Sequence, residues 1–343
     1  MRPPLVTVLM PAYNAERFIG SAIRSVLSQT FSDFELLIID DGSVDGTKGI
    51  ITAFADQRIR LLNNSGNIGL IPTLNLGMQE AQGKYIARLD ADDLCFPTRL
   101  AEQVEVLEKD IDVGLASSWT EVIDEDDRTK GFGRWVLSPE AIYYVLHFRQ
   151  CLTHSSVMFR KALVSELGGY SAKAVHAEDF DLWHRLSKVN KIVQLPKVLV
   201  KWRTHSRSIS GTEVDDMESN ALQLAGKYLR ELTGMEYGPD MVKALVDCRS
   251  VRNLPPQLLS DFPTRLTEVQ ARIASAAPDV YDKARLRSYS EIETAKYAHV
   301  CRHLGMPFDF PAPTRVRCLG FMYYLISYYR LPLTCRFIPQ SHF

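Results

Sequence analysis

The feature that most restricts the fold is an alternation running through about the first two hundred residues: short apolar runs closed by polar turns take turns with stretches whose apolar residues recur at helical spacing. "LVTVLM" reads as a strand ending at Pro11. "NAERFIGSAIRSVLSQ" puts Phe18, Ile19, Ala22, Ile23, Val26 and Leu27 on one helical stripe, with Asn14 placed as N-cap. "FELLIID" is a second strand, residues 44–55 a second helix, and "RIRLL" a third strand. Pro72 marks the start of the next helix and Gly83 its C-terminal cap. "KYIARL" is the fourth strand, Pro97 opens a helix with Leu100, Val104 and Leu107 on one face, and "VGLASSW" follows as a strand. Strands alternating with helices of this length imply an α/β fold, with parallel strands and helices on both faces.

With 343 residues there is room for a catalytic domain and an appendage, and the pattern changes near residue 210. Helical segments then dominate ("MESNALQLAGKYLRELTG", "MVKALVDCRSV", "ARLRSYSEIETAKYAHVCRHLG"), separated by breaks at Pro255-Pro256, Pro307 and Pro311. The division expected is 1–210 as the α/β domain and 211–343 as a mainly helical region. The net charge of -1 gives no argument for nucleic acid as a partner. The six cysteines stand singly, without a CxxC pair, which speaks against a zinc site and fits reduced thiols in a cytoplasmic protein. The N-terminal apolar run is too short for a signal peptide, and "CLGFMYYLISYY" is too short for a membrane span.

In open α/β sheets, ligands bind beyond the carboxyl ends of the strands. Pro11 to Tyr13, Asp40-Asp41 and Asp90 to Asp93 all fall there. In "YIARLDADD" three carboxylates repel one another, and no basic residue follows until Arg99. A divalent cation would neutralise such a cluster: Mg²⁺ and Mn²⁺ prefer oxygen ligands and combine one or two carboxylates with water and substrate phosphates. A phosphatase carries its D-x-D after the first strand, whereas here it follows the fourth. A calcium loop would need ligands where Leu94 to Pro97 offer none, and neither G-x-G-x-x-G nor a P-loop is present. What survives is a metal bound to a diphosphate that carries a transferable group.

The chain resembles the family 2 glycosyltransferases of the GT-A fold over roughly Val6 to Ser210. Five ordered blocks carry the resemblance: "VTVLMPAYNAERFIGSAIRSVLSQTFSDFELLIIDDGSVDGT", "NNSGNIGLIPTLNLGMQEAQGKYIARLDADD", "LTHSSVMFRK", "AEDFDLWHRL" and "KWRTHSRSIS". It implies a GT-A α/β fold (Rossmann-like, a mixed, mostly parallel sheet flanked by helices) with a helical C-terminal extension. By motif position, Pro11, Tyr13 and Asp41 would form the pocket for the donor's nucleobase, most often uracil, and Asn67 and Gly69 would bring a loop to the nucleotide. Asp92 would contact the nucleotide and share a Mn²⁺ or Mg²⁺ ion with Asp93 and His205, Asp90 serving to end the strand. Asp179, with Glu178 beside it, would be the catalytic base for inversion at the anomeric carbon. His154 falls on the acceptor side or is only structural, Arg203 and Arg207 could add charge near the diphosphate, and Arg88, which could pair with a carboxylate, is read as structural.

Processive synthases of the family carry Q-x-x-R-W and membrane helices. Here "KWRTH" occupies the comparable region, so a non-processive transferase is expected, working in glycan or cell-surface polysaccharide synthesis. The partners expected are a nucleotide-sugar donor, foremost a UDP-sugar, and a glycan or lipid-linked acceptor held by Glu121 to Arg149 and the helical tail. The stretch from Thr314 onward, with four Arg and no acid among many aromatics, leaves a peripheral contact at the inner face of the cell membrane open against burial of those aromatics. The alternatives are a non-catalytic nucleotide-sugar-binding module and a sugar nucleotidyltransferase, the latter lacking its Gly-rich basic loop.

Overall fold

A computed structural model of the chain describes residues 2–134, 138–206 and 214–303. The strands are β1 Val6–Ala12, β2 Phe34–Asp40, β3 Ile59–Asn63, β4 Tyr85–Arg88, β5 Leu94–Cys95, β6 Val113–Ile123, β7 Thr129–Gly133, β8 Met158–Arg160 and β9 Lys191–Arg203. They form one mixed sheet in the order β3-β2-β1-β4-β8-β6-β9-β5, with β7 on β6. The half built from β3, β2, β1 and β4 is parallel throughout. Beyond it β8 runs antiparallel to both β4 and β6, β9 returns parallel to β6, and β5 is antiparallel to β9.

Strand periodicity sorts the core onto two faces. Val6, Val8, Met10, Leu36, Ile38, Tyr85 and Ala87 point to one face, where α1 (Ile19–Leu27), α2 (Thr47–Thr52) and α4 (Arg99–Lys109) cover them with Ile19, Ile23, Val26, Ile51, Leu100, Val104 and Leu107. Leu9, Leu37, Ile39 and Ile86 point to the other. There α3 (Leu70–Glu80), α5 (Pro139–Val145), α6 (Lys161–Glu166) and α7 (Glu178–Ser187) meet them with Leu74, Met78, Ile142, Val164, Phe180 and Trp183.

The C-terminal helices extend this second face. They are α8 Val214–Thr233, α9 Pro239–Val246, α10 Pro256–Ala276 and α11 Lys283–His303. Tyr228, Leu245, Phe262, Leu266, Val269 and Ile273 belong to the same buried cluster as Trp183. Polar ties cross the seam: Tyr228 donates to Asp181 of α7 (3.0 Å), Gln270 to the Tyr144 hydroxyl of α5 (3.1 Å), and Tyr281 to the carbonyls of Ser187 and Asn190 (3.0 and 2.9 Å). The helical region therefore backs the two helices that frame the far side of the crevice. No described helix is long and apolar enough to cross a membrane.

Several local expectations are corrected. Asn14 is not an N-cap: α1 starts at Ile19, and Asn14 sits in the left-handed region (φ 48°) as a latch between loops. The second helix is shorter than expected, Thr47–Thr52. Gly83 does not cap α3, which ends at Glu80 with Ala81 as its C-cap. Gly83 is instead required by close approach, since a Cβ there would lie 2.4 Å from the Thr7 backbone nitrogen. Pro255-Pro256 separates helical segments as expected, and it also opens the 21-residue α10, with Pro256 in its first turn. Pro307, Pro311, the basic aromatic stretch from Thr314, and Arg207 lie outside the described residues.

Candidate active site

Three loops at the carboxyl edge of the parallel half form one wall of the crevice. After β1, Asn14 donates from its backbone to Ser43 Oγ (2.9 Å) and accepts through its side chain from the Val44 N–H (3.0 Å). After β2, Gly42 (φ +75°) lies so near the third loop that a Cβ would stand 2.5 Å from the Gly66 carbonyl carbon. Asp41, buried, ties that third loop down: it accepts from Asn64 Nδ2 (2.7 Å), Ile68 N–H (3.0 Å) and Gly69 N–H (2.9 Å). Asn67 Oδ1 accepts from the Gly69 N–H as well (3.0 Å), and Gly69 turns with φ +91° into α3. The loops leave apolar side chains in the open: Tyr13 is 49%, Val44 88% and Ile68 48% exposed. Pro11 is buried within β1.

The acidic turn follows β4. Asp90, Asp92 and Asp93 each offer a carboxylate oxygen within 4.8 Å of the others. Asp90 pairs with Arg88, whose side chain is only 2% exposed, and accepts from Ser155 Oγ (3.0 Å). Arg88 also donates to Ser155 Oγ (2.8 Å), so Arg88, Asp90 and Ser155 form a closed triangle. Asp92 Oδ2 meets His205 Nε2 at 2.9 Å, and the His205 ring packs on Phe18 (5.0 Å between centroids). Asp93 is fully buried: one oxygen accepts from the Arg203 N–H (2.7 Å), and the other has no hydrogen-bond partner. Burial first, then the charges of Asp92 and Asp90, push its carboxyl well above the usual range.

Arg203 stitches the end of β9 to this turn. Its guanidinium donates to the carbonyls of Asp92 (2.7 Å) and Asp124 (2.9 Å) and pairs with Asp127 (2.6 Å), 4.7 Å over the Phe18 ring. It is thereby engaged in holding the turn rather than free to reach a diphosphate. The site's residues fit a hard divalent cation: three carboxylates converge, an imidazole lies against one of them, and one buried carboxylate oxygen lacks a partner.

Across the crevice, α7 begins with Glu178 and Asp179. Asp179 Oδ1 accepts from the Phe180 N–H (2.6 Å), and Oδ2 accepts from the Gln150 side chain. Burial raises both carboxyls, and Asp179 adds to the effect on Glu178, which is pushed up to about 7. Arg88 opposes the rise in each, so its buried charge acts on the acidic turn and on α7 alike. His154 Nε2 meets the Tyr170 hydroxyl at 2.9 Å and packs edge-on against Trp183. Burial drives its pKa far down, so it stays neutral.

Residues 7–168 match the family model described as glycosyl transferase family 2. The chain is 31% identical over 217 residues, 62% of its own length and 83% of the other's, to the Escherichia coli UDP-Glc:alpha-D-GlcNAc-diphosphoundecaprenol beta-1,3-glucosyltransferase WfgD. It is a family 2 glycosyltransferase. Among solved structures, this glycosyltransferase is similar in fold to S. aureus TarS 1–349 in complex with UDP-GlcNAc, with a TM-score of 0.57 and 16% identity, 97% of this chain and 94% of that one being covered. It is also similar to the Pyrobaculum calidifontis mannosyltransferase PcManGT in complex with GDP-Man and Mn²⁺, with a TM-score of 0.52 and 19% identity over 95% and 86% of the two chains. The fold is that of the GT-A glycosyltransferases.

In this transferase Asp92 and Asp93 share the acidic turn with His205 beside Asp92, while Asp41, Asn67 and Gly69 share one loop anchor. Tyr13 stands exposed at that wall. Sequence reasoning missed Val44 and Ile68, Ser155, and Gln150, while the carboxylate pairing open to Arg88 is made with Asp90. Val44, Ile68 and Ser155 all sat in recognised blocks, Ser155 in "LTHSSVMFRK", where serines beside a histidine could have been read as polar lining. Gln150 precedes that block and carries no local signal.

Proposed function

We propose that the protein transfers a sugar from a UDP-sugar to an acceptor hydroxyl, with inversion, metal assistance and no processive elongation. The uracil ring would rest against Tyr13, Val44 and Ile68, beside Pro11, on loops that Asp41, Asn67 and Gly69 hold in place. Asp92, Asp93 and His205 would hold Mn²⁺ or Mg²⁺, which as a Lewis acid stabilises charge on the departing diphosphate. Asp92 would also contact the nucleotide. Asp179 would take the proton of the attacking hydroxyl from the opposite side, helped by its raised pKa, with Glu178 beside it.

The observation that supports this reading best is the buried acidic turn: Asp93 keeps an unpartnered, charge-crowded oxygen while Asp92 lies in contact with a histidine from a strand end 113 residues away in sequence. The reading extends to the acceptor. The WfgD name gives a diphosphoundecaprenol-linked sugar as acceptor for that relative, and we take a lipid-linked or glycan acceptor as the class here. On this reading residues 1–210 would work at the cytoplasmic face of the cell membrane, in polysaccharide synthesis, with 211–343 as the supporting region. The test is UDP release from UDP-glucose and UDP-GlcNAc with Mn²⁺ and with EDTA. Release that stops with EDTA and in Asp92→Ala supports the metal-assisted reading, and release indifferent to both overturns it. Nucleotide binding without turnover on any donor and acceptor supplied would instead favour the binding-module reading.

A further inference from the structure

Gln150 lies between α5 and the short 3₁₀ turn His154–Ser156, half-buried beside the start of α7. Its amide has one sensible orientation. Oε1 accepts from the N–H groups of Cys151 (2.9 Å) and Leu152 (3.3 Å), and the amide nitrogen then faces Asp179 Oδ2 and donates to it. A flipped amide would set its NH₂ against two N–H donors and its oxygen against a carboxylate, losing all three bonds. Two backbone groups therefore fix the donor, and the donor fixes the carboxylate. Asp179 is held at both oxygens, by Gln150 and by the Phe180 N–H, with lone pairs left for a substrate proton.

We propose that Gln150 is a positioning residue for the catalytic base, orienting the Asp179 carboxylate toward the acceptor hydroxyl. The inference rests on the reading of Asp179 as the base. Such a bond also favours the anion, against the burial that disfavours it. The other titratable or charged groups around Asp179 are Glu178 on the same helix, Arg88 from β4, Asp90 beyond it, Tyr170 from the preceding loop, Cys151 next to Gln150, and the neutral His154. None of these donates to Asp179 Oδ2 in place of Gln150 among the described contacts.

The test uses the full chain labelled with ¹³C at the aspartate carboxyls, in Mg²⁺ and UDP, with the Asp179 resonance assigned by its loss in Asp179→Asn. In Gln150→Leu the Asp179 titration midpoint should rise by about one to two pH units, the range expected for one lost hydrogen bond to a charged group. Gln150→Glu keeps an acceptor for Cys151 and Leu152, so the loop retains its bonds, and it should raise the midpoint as well. UDP release, measured on whichever of UDP-glucose and UDP-GlcNAc wild type turns over faster, should lose about tenfold or more in kcat at pH 7, with donor KM within about twofold. An unmoved midpoint with a wild-type rate in both Gln150 variants, beside an inactive Asp179→Asn, overturns the role of Gln150 alone. A wild-type rate in Asp179→Asn overturns the base reading, and the Gln150 inference with it.

Discussion

Glu178 and Asp179 carry two adjacent acids into a buried helix start, and the two respond differently. Asp179 accepts from Gln150 and Phe180, whereas Glu178 is pushed to about 7 by burial and by its neighbour. A carboxyl whose folded pKa exceeds its unfolded value binds more protons when folded, so its contribution to stability is present at low pH and is lost as pH rises from about 4.5 through 7. Glu178→Gln should therefore raise the melting temperature at pH 8 and change it little at pH 4, as read by calorimetry of the free protein. A larger gain at pH 4 would contradict the assignment. For Asp179→Asn we expect metal-dependent UDP binding within about threefold of wild type and a loss of turnover of roughly 10²–10⁴, the usual worth of a general base. Full activity would remove Asp179 from that role.

The strand-ending loops were legible in the sequence where turn chemistry and apolar periodicity agree. β1, β2, β3, β4 and α4 fall where their patterns put them, because each buries one defined face. Asn14 was misread because its position before an amphipathic run resembles a cap, while its hydrogen bonds go to Ser43 and Val44, thirty residues on. Such long-range side-chain bonds leave no local signature. The same holds for Gln150 and for Ser155, which closes the triangle with Arg88 and Asp90 from 67 and 65 residues away in sequence. α10 escaped notice because Pro255-Pro256 suggested only a break, although a proline in the first turn costs a helix nothing. Gly42 tests the loop wall as an element. In Gly42→Ala the new Cβ meets the Gly66 backbone in a left-handed conformation, which should cost roughly 1–3 kcal/mol of stability and weaken UDP binding more than it weakens metal binding. Unchanged denaturation and UDP titrations would show that the two loops can separate freely.

At the scale of the whole molecule, the C-terminal helices close over a pair of buried histidines. His147 of the segment after α5 and His184 of α7 stand edge to face at 5.1 Å, and the His184 ring stacks on Tyr228 of α8 at 3.6 Å. Burial holds the His147 pKa at about 4 and the His184 pKa well below its ordinary value. Folding thus favours the neutral rings: this stability is fully present above the unfolded pKa near 6.5 and is lost as pH falls toward 4, by up to about 3 kcal/mol for His147. Melting temperature should drop between pH 6.5 and 4.5, and less steeply in His184→Phe. An equally steep drop in that variant would place the acid sensitivity elsewhere. This seam was invisible in the sequence, which showed helices without saying what they cover. The proposed substrate site itself lies at the acidic turn and the loop wall. Its most direct test is calorimetric titration of wild type and Asp92→Ala with UDP, GDP, TDP and CDP, each with Mn²⁺ and with EDTA. The account expects wild type to bind one of them selectively, UDP foremost, only with Mn²⁺, and Asp92→Ala to lose that binding. Binding that survives EDTA and the substitution, or no binding of any of the four, would contradict it.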